Sequence, residues 1–265
     1  MRRRGEAFYD TTDPIAVAHR GGNAANTDIE DYQNTIRACI ASRQRGVTVV
    51  EIDLRRRSDG QAGVAHDAEN VDRAETLVEF LTNPELQDVR FMLDLKESEV
   101  MGPTAQAVRE AEAHDRVSLG TRNYGPETAA LLTGDGKEIC VGVGVAGALA
   151  LKFSNLLTRD FIERTGVTSF HIPHYLIPFL VNNRALRRAD NRGVKLIGWP
   201  KNPQKNDHRR YIETALDRGI HGVKSDHTGM LVEVFESRGH HGSLGKSLGE
   251  AALNGLTTSD IRANI

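Results

Sequence analysis

The chain has 265 residues, 39% of them hydrophobic and 26% charged, and a formal net charge of −2. That composition is ordinary for a soluble globular chain and lacks the basic excess that nucleic-acid binding leaves. Two cysteines, Cys39 and Cys140, make no disulfide framework and lack metal-ligand spacing, so they read as free thiols in a reducing compartment. No apolar stretch approaches the roughly 18 residues of a membrane span, and no apolar h-region follows the basic N-terminus, so the expected location is cytoplasmic.

Short apolar runs rich in Val, Ile and Phe recur along the chain, as strands buried on both faces should. In chain order they are Ile15–Ala18, Val47–Leu54, Arg90–Leu95, Val117–Gly120, Ile139–Val145, Ser169–Ile172, Lys195–Trp199 and Gly222–Lys224. Helical segments are predicted between them: Asp28–Arg45, Thr76–Leu81, Thr104–His114, Pro126–Leu132, Arg159–Arg164, Asn183–Asn191 and His208–Arg218. Eight strands alternating with helices imply parallel pairing, and eight units fit a closed (β/α)8 TIM barrel, which typically uses about 250 residues. The whole of residues 1–265 therefore reads as a single domain. Its tail, 239–265, is rich in Gly and Ser and is expected either as a mobile arm or as a helix docked on the barrel.

In such a barrel the reactive residues stand at the C-terminal ends of the strands. The first predicted strand runs into His19-Arg20-Gly21-Gly22, and the second carries Glu51-Ile52-Asp53. A hairpin-like extension, Arg55–Asp67, leads to His66-Asp67. The third strand ends Asp94-Leu95-Lys96, the seventh ends at Trp199 and the eighth at Lys224-Ser225-Asp226. Positions i and i+2 of a strand face one side, so Glu51 and Asp53 both point into the barrel mouth, where Asp94 completes a three-oxygen set. Hard oxygen donors without thiolates suit Mg²⁺ or Ca²⁺. The Glu-x-Asp spacing by itself also fits a solvated surface strand. His19 and His66 titrate near neutrality, as general acids and bases must, and Arg20 and Lys96 carry charge suited to a phosphate oxygen. At the mouth, both histidines would lie outside the packed layers. His171 and His174 have two readings, substrate contacts or histidines packed beside Pro173 and Tyr175.

His19-Arg20-Gly21, Glu51-Ile52-Asp53, Asp59-Gly60 and His66-Asp67, in that order and spacing, resemble the signature of the glycerophosphodiester phosphodiesterase family. Val194–Trp199 is similar to that family's seventh strand. Arg218–Asp226 is similar to its closing Gly-x-x-Gly-(apolar)-x-(Thr/Ser)-Asp element. The resemblance implies a TIM barrel that hydrolyses small phosphodiesters with a divalent metal, Mg²⁺ or Ca²⁺, and a place in lipid metabolism. It makes His19 and His66 the acid–base pair, and Glu51, Asp53 and Asp94 the metal ligands. Arg20 and Lys96 become phosphate binders, and Trp199 an apolar wall of the substrate pocket. One departure stands out. The family's Glu-Asn-Thr triplet, whose glutamate binds metal, is Gln33-Asn34-Thr35 here, after a segment, Asn23–Tyr32, that is longer than usual. Glu30 or Asp31 is the alternative ligand. A site of Glu51, Asp53 and Asp94 alone resembles the sphingomyelinase D branch of the same superfamily, which lacks the His-Arg-Gly triplet. A sugar-phosphodiester enzyme releasing a cyclic phosphate and a catalytically impaired phosphodiester-binding module are the other readings.

Overall fold

The structure is a computed structural model that describes residues 13–22, 32–121, 138–142, 167–200, 209–240 and 244, with backbone alone at 121 and 138–142. Nine strands are present among them: β1 (Ile15–Ala18), β2 (Val49–Arg56), β3 (Ala62–Val64), β4 (Arg90–Leu95), β5 (Val117–Thr121), β6 (Glu138–Gly142), β7 (Val167–Pro173), β8 (Lys195–Trp199) and β9 (Gly222–Ser225). Eight of them pair in parallel in the order β1-β9-β8-β7-β6-β5-β4-β2, and β2 pairs back onto β1, so the sheet closes. The expected (β/α)8 barrel is the observed fold. The ninth strand, β3, lies antiparallel on β2 and forms the hairpin expected after Asp53.

Strand alternation divides the apolar residues into two cores. Ala16 and Ala18, Val50, Ile52 and Leu54, and Phe91 and Leu93 face outward and join Phe80, Val108, Ile212 and Phe235 beneath the helices. Their neighbours of opposite parity, Ile15, Val17, Val49, Met92 and Ile197, form a separate buried cluster inside the barrel. Along the inward face of β2 the residues run Val49, Glu51, Asp53, and along β4 they run Met92, Asp94. The barrel interior is thus apolar at the N-terminal ends of the strands and charged at the C-terminal ends. This polarity gradient sets the site at the mouth.

The helices are α1 (Ile36–Gln44), α2 (Leu77–Thr82), α3 (Met101–Glu110), α4 (Ile177–Leu180), α5 (Asn183–Asp190), α6 (Arg209–Asp217) and α7 (Thr228–Ser237). Four differ from expectation, among them the short α4, which was not expected. The first starts at Ile36, because Thr35 is extended and its hydroxyl caps the Ala38 N–H, while Asn34 before it has φ of 58°. The third begins three residues early, since Pro103 is tolerated in a first turn. The last, α7, was not expected. Its Leu231, Val234 and Phe235 are fully buried at helical spacing, a stripe masked by its β-branched residues. The helices expected at Pro126–Leu132 and Arg159–Arg164 lie outside the described residues, as does nearly all of the tail. Within the tail, His240 bonds back to Phe235, and Leu244 bridges Val47.

The turn after β1 imposes a strict backbone requirement. Arg20, Gly21 and Gly22 all have positive φ, at 52°, 82° and 78°. A β-carbon on Gly22 would stand 2.4 Å from Thr228 Cγ2 and 2.8 Å from Ser42 Oγ. We expect Gly22→Ala to cost about 2 kcal/mol or more, from left-handed strain plus overpacking, read as a loss of several degrees in melting temperature. An unchanged melting curve would refute the tight turn.

Candidate active site

Glu51, Asp53 and Asp94 each offer a carboxylate oxygen within 4.8 Å of the others'. Glu51 and Asp53 are almost fully buried, and Asp53 pairs in register with Asp94 across β2 and β4. Such a cluster cannot be left uncompensated, because close carboxylates repel and burial strengthens the repulsion. The compensation comes from three cations. Lys96 Nζ lies 2.5 Å from Asp53 Oδ1 and 2.5 Å from Asp94 Oδ2. Arg20 Nε lies 3.2 Å from Asp53 Oδ2, and Lys224 Nζ lies 3.3 Å from Glu51 Oε1. Asn34 clamps Asp53 from both sides: its Nδ2 donates to Oδ2 at 3.0 Å, and its Oδ1 accepts the Asp53 N–H at 2.9 Å.

The left-handed turn also aims the backbone. The Arg20 N–H donates to Glu51 Oε2 at 3.1 Å. His19 Nε2 lies 3.8 Å from the same oxygen, and His19 Nδ1 donates to Asp226 Oδ1 at 3.0 Å. Burial opposes ionisation of Glu51, but Lys224, His19, Lys96 and the Arg20 N–H outweigh it and hold its carboxyl well below the usual carboxylate range. Burial likewise opposes the His19 imidazolium, and the charges of Glu51 and Asp226 overcome it, so its pKa is raised. For Lys96, burial is outweighed by Asp53, Asp94 and Glu51, and its pKa rises too.

Of the residues expected at the site, the structure gathers His19, Arg20, Glu51, Asp53, Asp94 and Lys96. His19 lies deeper than expected, 4% exposed and bonded across the barrel seam rather than standing open at the mouth. The Ala65 N–H donates to the Asp53 carbonyl at 3.0 Å, which brings the chain to the rim just before His66. His66 is half-exposed there, with Nδ1 donating to Asp67 at 2.7 Å. None of its hydrogen bonds or ion pairs among the described residues ties it to the cluster. Trp199 ends β8 beside Pro173 on β7.

Gln33 bonds to two residues of the site. Its Nε2 donates to Asp226 Oδ1 at 2.7 Å, and its Oε1 accepts from Arg20 Nη1 at 3.4 Å. Glu30 and Asp31 lie outside the described residues. His171 is buried on β7, with Nε2 3.4 Å from Ser169 Oγ. Burial, and then the charge of Lys224, push its pKa well down. His174 packs edge-on against Tyr175 and Tyr211, the structural reading of the two. Two site residues, Lys224 and Asp226, were named from sequence as the polar end of the eighth barrel strand but given no role there.

Three carboxylate oxygens with no thiolate or imidazole suit a hard divalent cation. The buried Asp53 Oδ1 supports that fit: among the described residues it has no hydrogen bond of good angle, only its charge contact with Lys96. An ammonium resting between Asp53 and Asp94 marks where positive charge is held. Glu51, Asp53 and Asp94 would hold the ion.

The site is thus a closed parallel barrel with acids, lysines, an arginine and a histidine at its strand ends. Residues 19–124 match the model of the glycerophosphoryl diester phosphodiesterase family. The chain is 26% identical to the protein named probable glycerophosphodiester phosphodiesterase 2 of Mycobacterium tuberculosis, over 85% of this chain and 92% of that one. Among solved structures, a glycerophosphodiester phosphodiesterase from Thermotoga maritima superposes with a TM-score of 0.64 at 18% identity, covering 84% of this chain and 99% of that one. An Oleispira antarctica phosphodiesterase in complex with the product sn-glycerol-3-phosphate superposes with a TM-score of 0.65 at 16% identity, covering 86% and 99%. Over residues 19–124 the chain is thus similar to the glycerophosphodiester phosphodiesterase family. Among the described residues, no helix is long and apolar enough to cross a membrane.

Proposed function

We propose that the protein is a metal-dependent phosphodiesterase that cleaves a glycerophosphodiester or a related small phosphodiester by acid–base catalysis at His19 and His66. The observation that carries this reading is the convergence of Glu51, Asp53 and Asp94 with Lys96, Arg20 and His19 on one barrel mouth. Its match to the family model over residues 19–124, a stretch that holds all six, supports the same reaction class.

The divalent ion, held by Glu51, Asp53 and Asp94, would act as a Lewis acid toward a phosphoryl oxygen. The chain's own residues do the rest. Arg20 and Lys96 turn from their carboxylate partners toward the anionic diester and offset charge on its oxygens. One histidine accepts the proton of the attacking hydroxyl, from water or from the substrate's own neighbouring alcohol, as its oxygen bonds to phosphorus. The other gives a proton to the departing alkoxide as the second P–O bond breaks. Asp226, on Nδ1 of His19, leaves Nε2 as the nitrogen that exchanges the proton. Trp199 supplies an apolar wall.

Purified protein incubated with a panel of phosphodiesters, with Mg²⁺, with Ca²⁺ or with chelator, and read by phosphorus NMR, tests the proposal. The expected result is cation-dependent conversion of a glycerophosphodiester to a monoester, with any cyclic phosphate visible as a separate resonance. Cleavage that persists in chelator overturns the metal. Binding of diesters without turnover would make the chain a recognition module.

A further inference from the structure

Lys224 is the one residue of the charged cluster that neither the proposed reaction nor the family resemblance employs. It stands on β9 in register with Val17 of β1, one residue from Val223, which faces the outer core. Strand alternation therefore turns Lys224 into the barrel, where it is 3% exposed. In the closing element Gly-x-x-Gly-(apolar)-x-(Thr/Ser)-Asp, it fills the unrestricted position.

A buried ammonium is strongly unfavourable unless it is paired. Its partner is Glu51, at 3.3 Å from Oε1, while Oε2 takes the Arg20 N–H and faces His19. Both oxygens of this buried carboxylate are thus engaged from within the protein. Asp53 and Asp94 share Lys96, whose side chain reaches in from the rim, 10% exposed. Lys96 can swing out to make room for another cation. Lys224 has no such route, because its side chain is only 4% exposed. Whatever ion the three carboxylates hold, it meets a Glu51 already half neutralised.

We infer that Lys224 is a positioning residue, a resident counter-ion that fixes Glu51 and lowers the affinity of the carboxylate cluster for divalent cations. The inference rests on the reading of Glu51, Asp53 and Asp94 as a cation site. It adds a direction that a merely structural lysine would not produce. Removing the charge strengthens cation binding, because a fixed positive charge a few ångströms from the ion is deleted in a partly dehydrated interior.

The test is calorimetric titration of Mg²⁺ and Ca²⁺ into the wild type, Lys224→Met, Lys224→Gln and Lys224→Arg, with melting curves in chelator and in cation. Expected are a dissociation constant at least about tenfold lower for Lys224→Met and Lys224→Gln, and a value near wild type for Lys224→Arg, since the repulsion follows the charge. Both neutral variants should melt early in chelator, with Glu51 left buried and less well compensated, and gain more from the cation than the wild type does. Lys224→Gln keeps a hydrogen-bond donor to Glu51 and reads the same effect if the methionine variant fails to fold. Equal or weaker affinity in the foldable neutral variants, with measurable wild-type binding, overturns the role of Lys224 and leaves the cation site standing. No cation binding by any of the proteins overturns both.

Discussion

His19→Ala should lower turnover by at least about 10²-fold, the low end for loss of a general acid or base. His19 is placed for proton transfer by two carboxylates. Asp226 holds Nδ1 at 3.0 Å, and Nε2 is left facing the cluster, 3.8 Å from Glu51. Alanine removes the proton carrier and leaves Asp226 without one of its donors in a nearly closed space. A stability loss of about 1–3 kcal/mol should accompany the kinetic one. The sequence, which placed His19 in an open mouth, gave no reason to expect that loss. Steady-state kinetics at saturating substrate and a temperature below both melting points separates the two effects. Turnover within a few-fold of wild type would remove His19 from the reaction. The same measurement on His66→Ala carries the larger risk, because His66 reaches the site only along the rim and its imidazole is bound to Asp67.

The second large effect is at the metal ligands. Asp53→Asn is expected to reduce activity to that of chelator-treated wild type, as is Glu51→Gln. Asparagine nearly preserves the shape of Asp53 and can still pair with Asn34, so the lost quantity is charge. Asp53 is the hub: Lys96, Arg20 and Asn34 all meet it, and none of its side chain is open to solvent. In the wild type, cation at 100 times its dissociation constant should stabilise the fold by about 2.7 kcal/mol, since it binds the folded state alone. For a chain of this size that is a rise of roughly 5–10 °C in melting temperature. Asp53→Asn should lose most of the rise. A chelator that changes neither the activity nor the melting temperature of the wild type would remove the metal from the mechanism.

Much of this was written locally. The alternation Val49, Glu51, Asp53 states by itself that one strand face turns from apolar to acidic, and Met92, Asp94 repeats it. Period 2 is a local property of an extended chain, so eight strands and the inward direction of the carboxylates could be read before any contact was known. His19-Arg20-Gly21-Gly22 was legible as a strand end, but its left-handed run and the lack of space for a β-carbon at Gly22 came only with the structure. The helix α7 failed for a local reason too. Valines at 232 and 234 blur helix and strand, and only burial against β1 and α6 settles them.

What the sequence could not contain is the pairing of charges around the closed ring. His19 and Asp226 are 207 residues apart, and Glu51 and Lys224 are 173 apart. They meet because β9 closes onto β1, and β1 onto β2. From the sequence, Lys224 is a strand-end lysine without a partner or role, and Gln33 is an acid lost from a ligand set. Tertiary structure bonds Gln33 to Asp226 and Arg20 and sets Lys224 against Glu51. Alternation fixes the face on which a side chain stands. Only ring closure and register decide which opposite charge it meets there, and in a buried site that choice of partner sets the energy of every group in it.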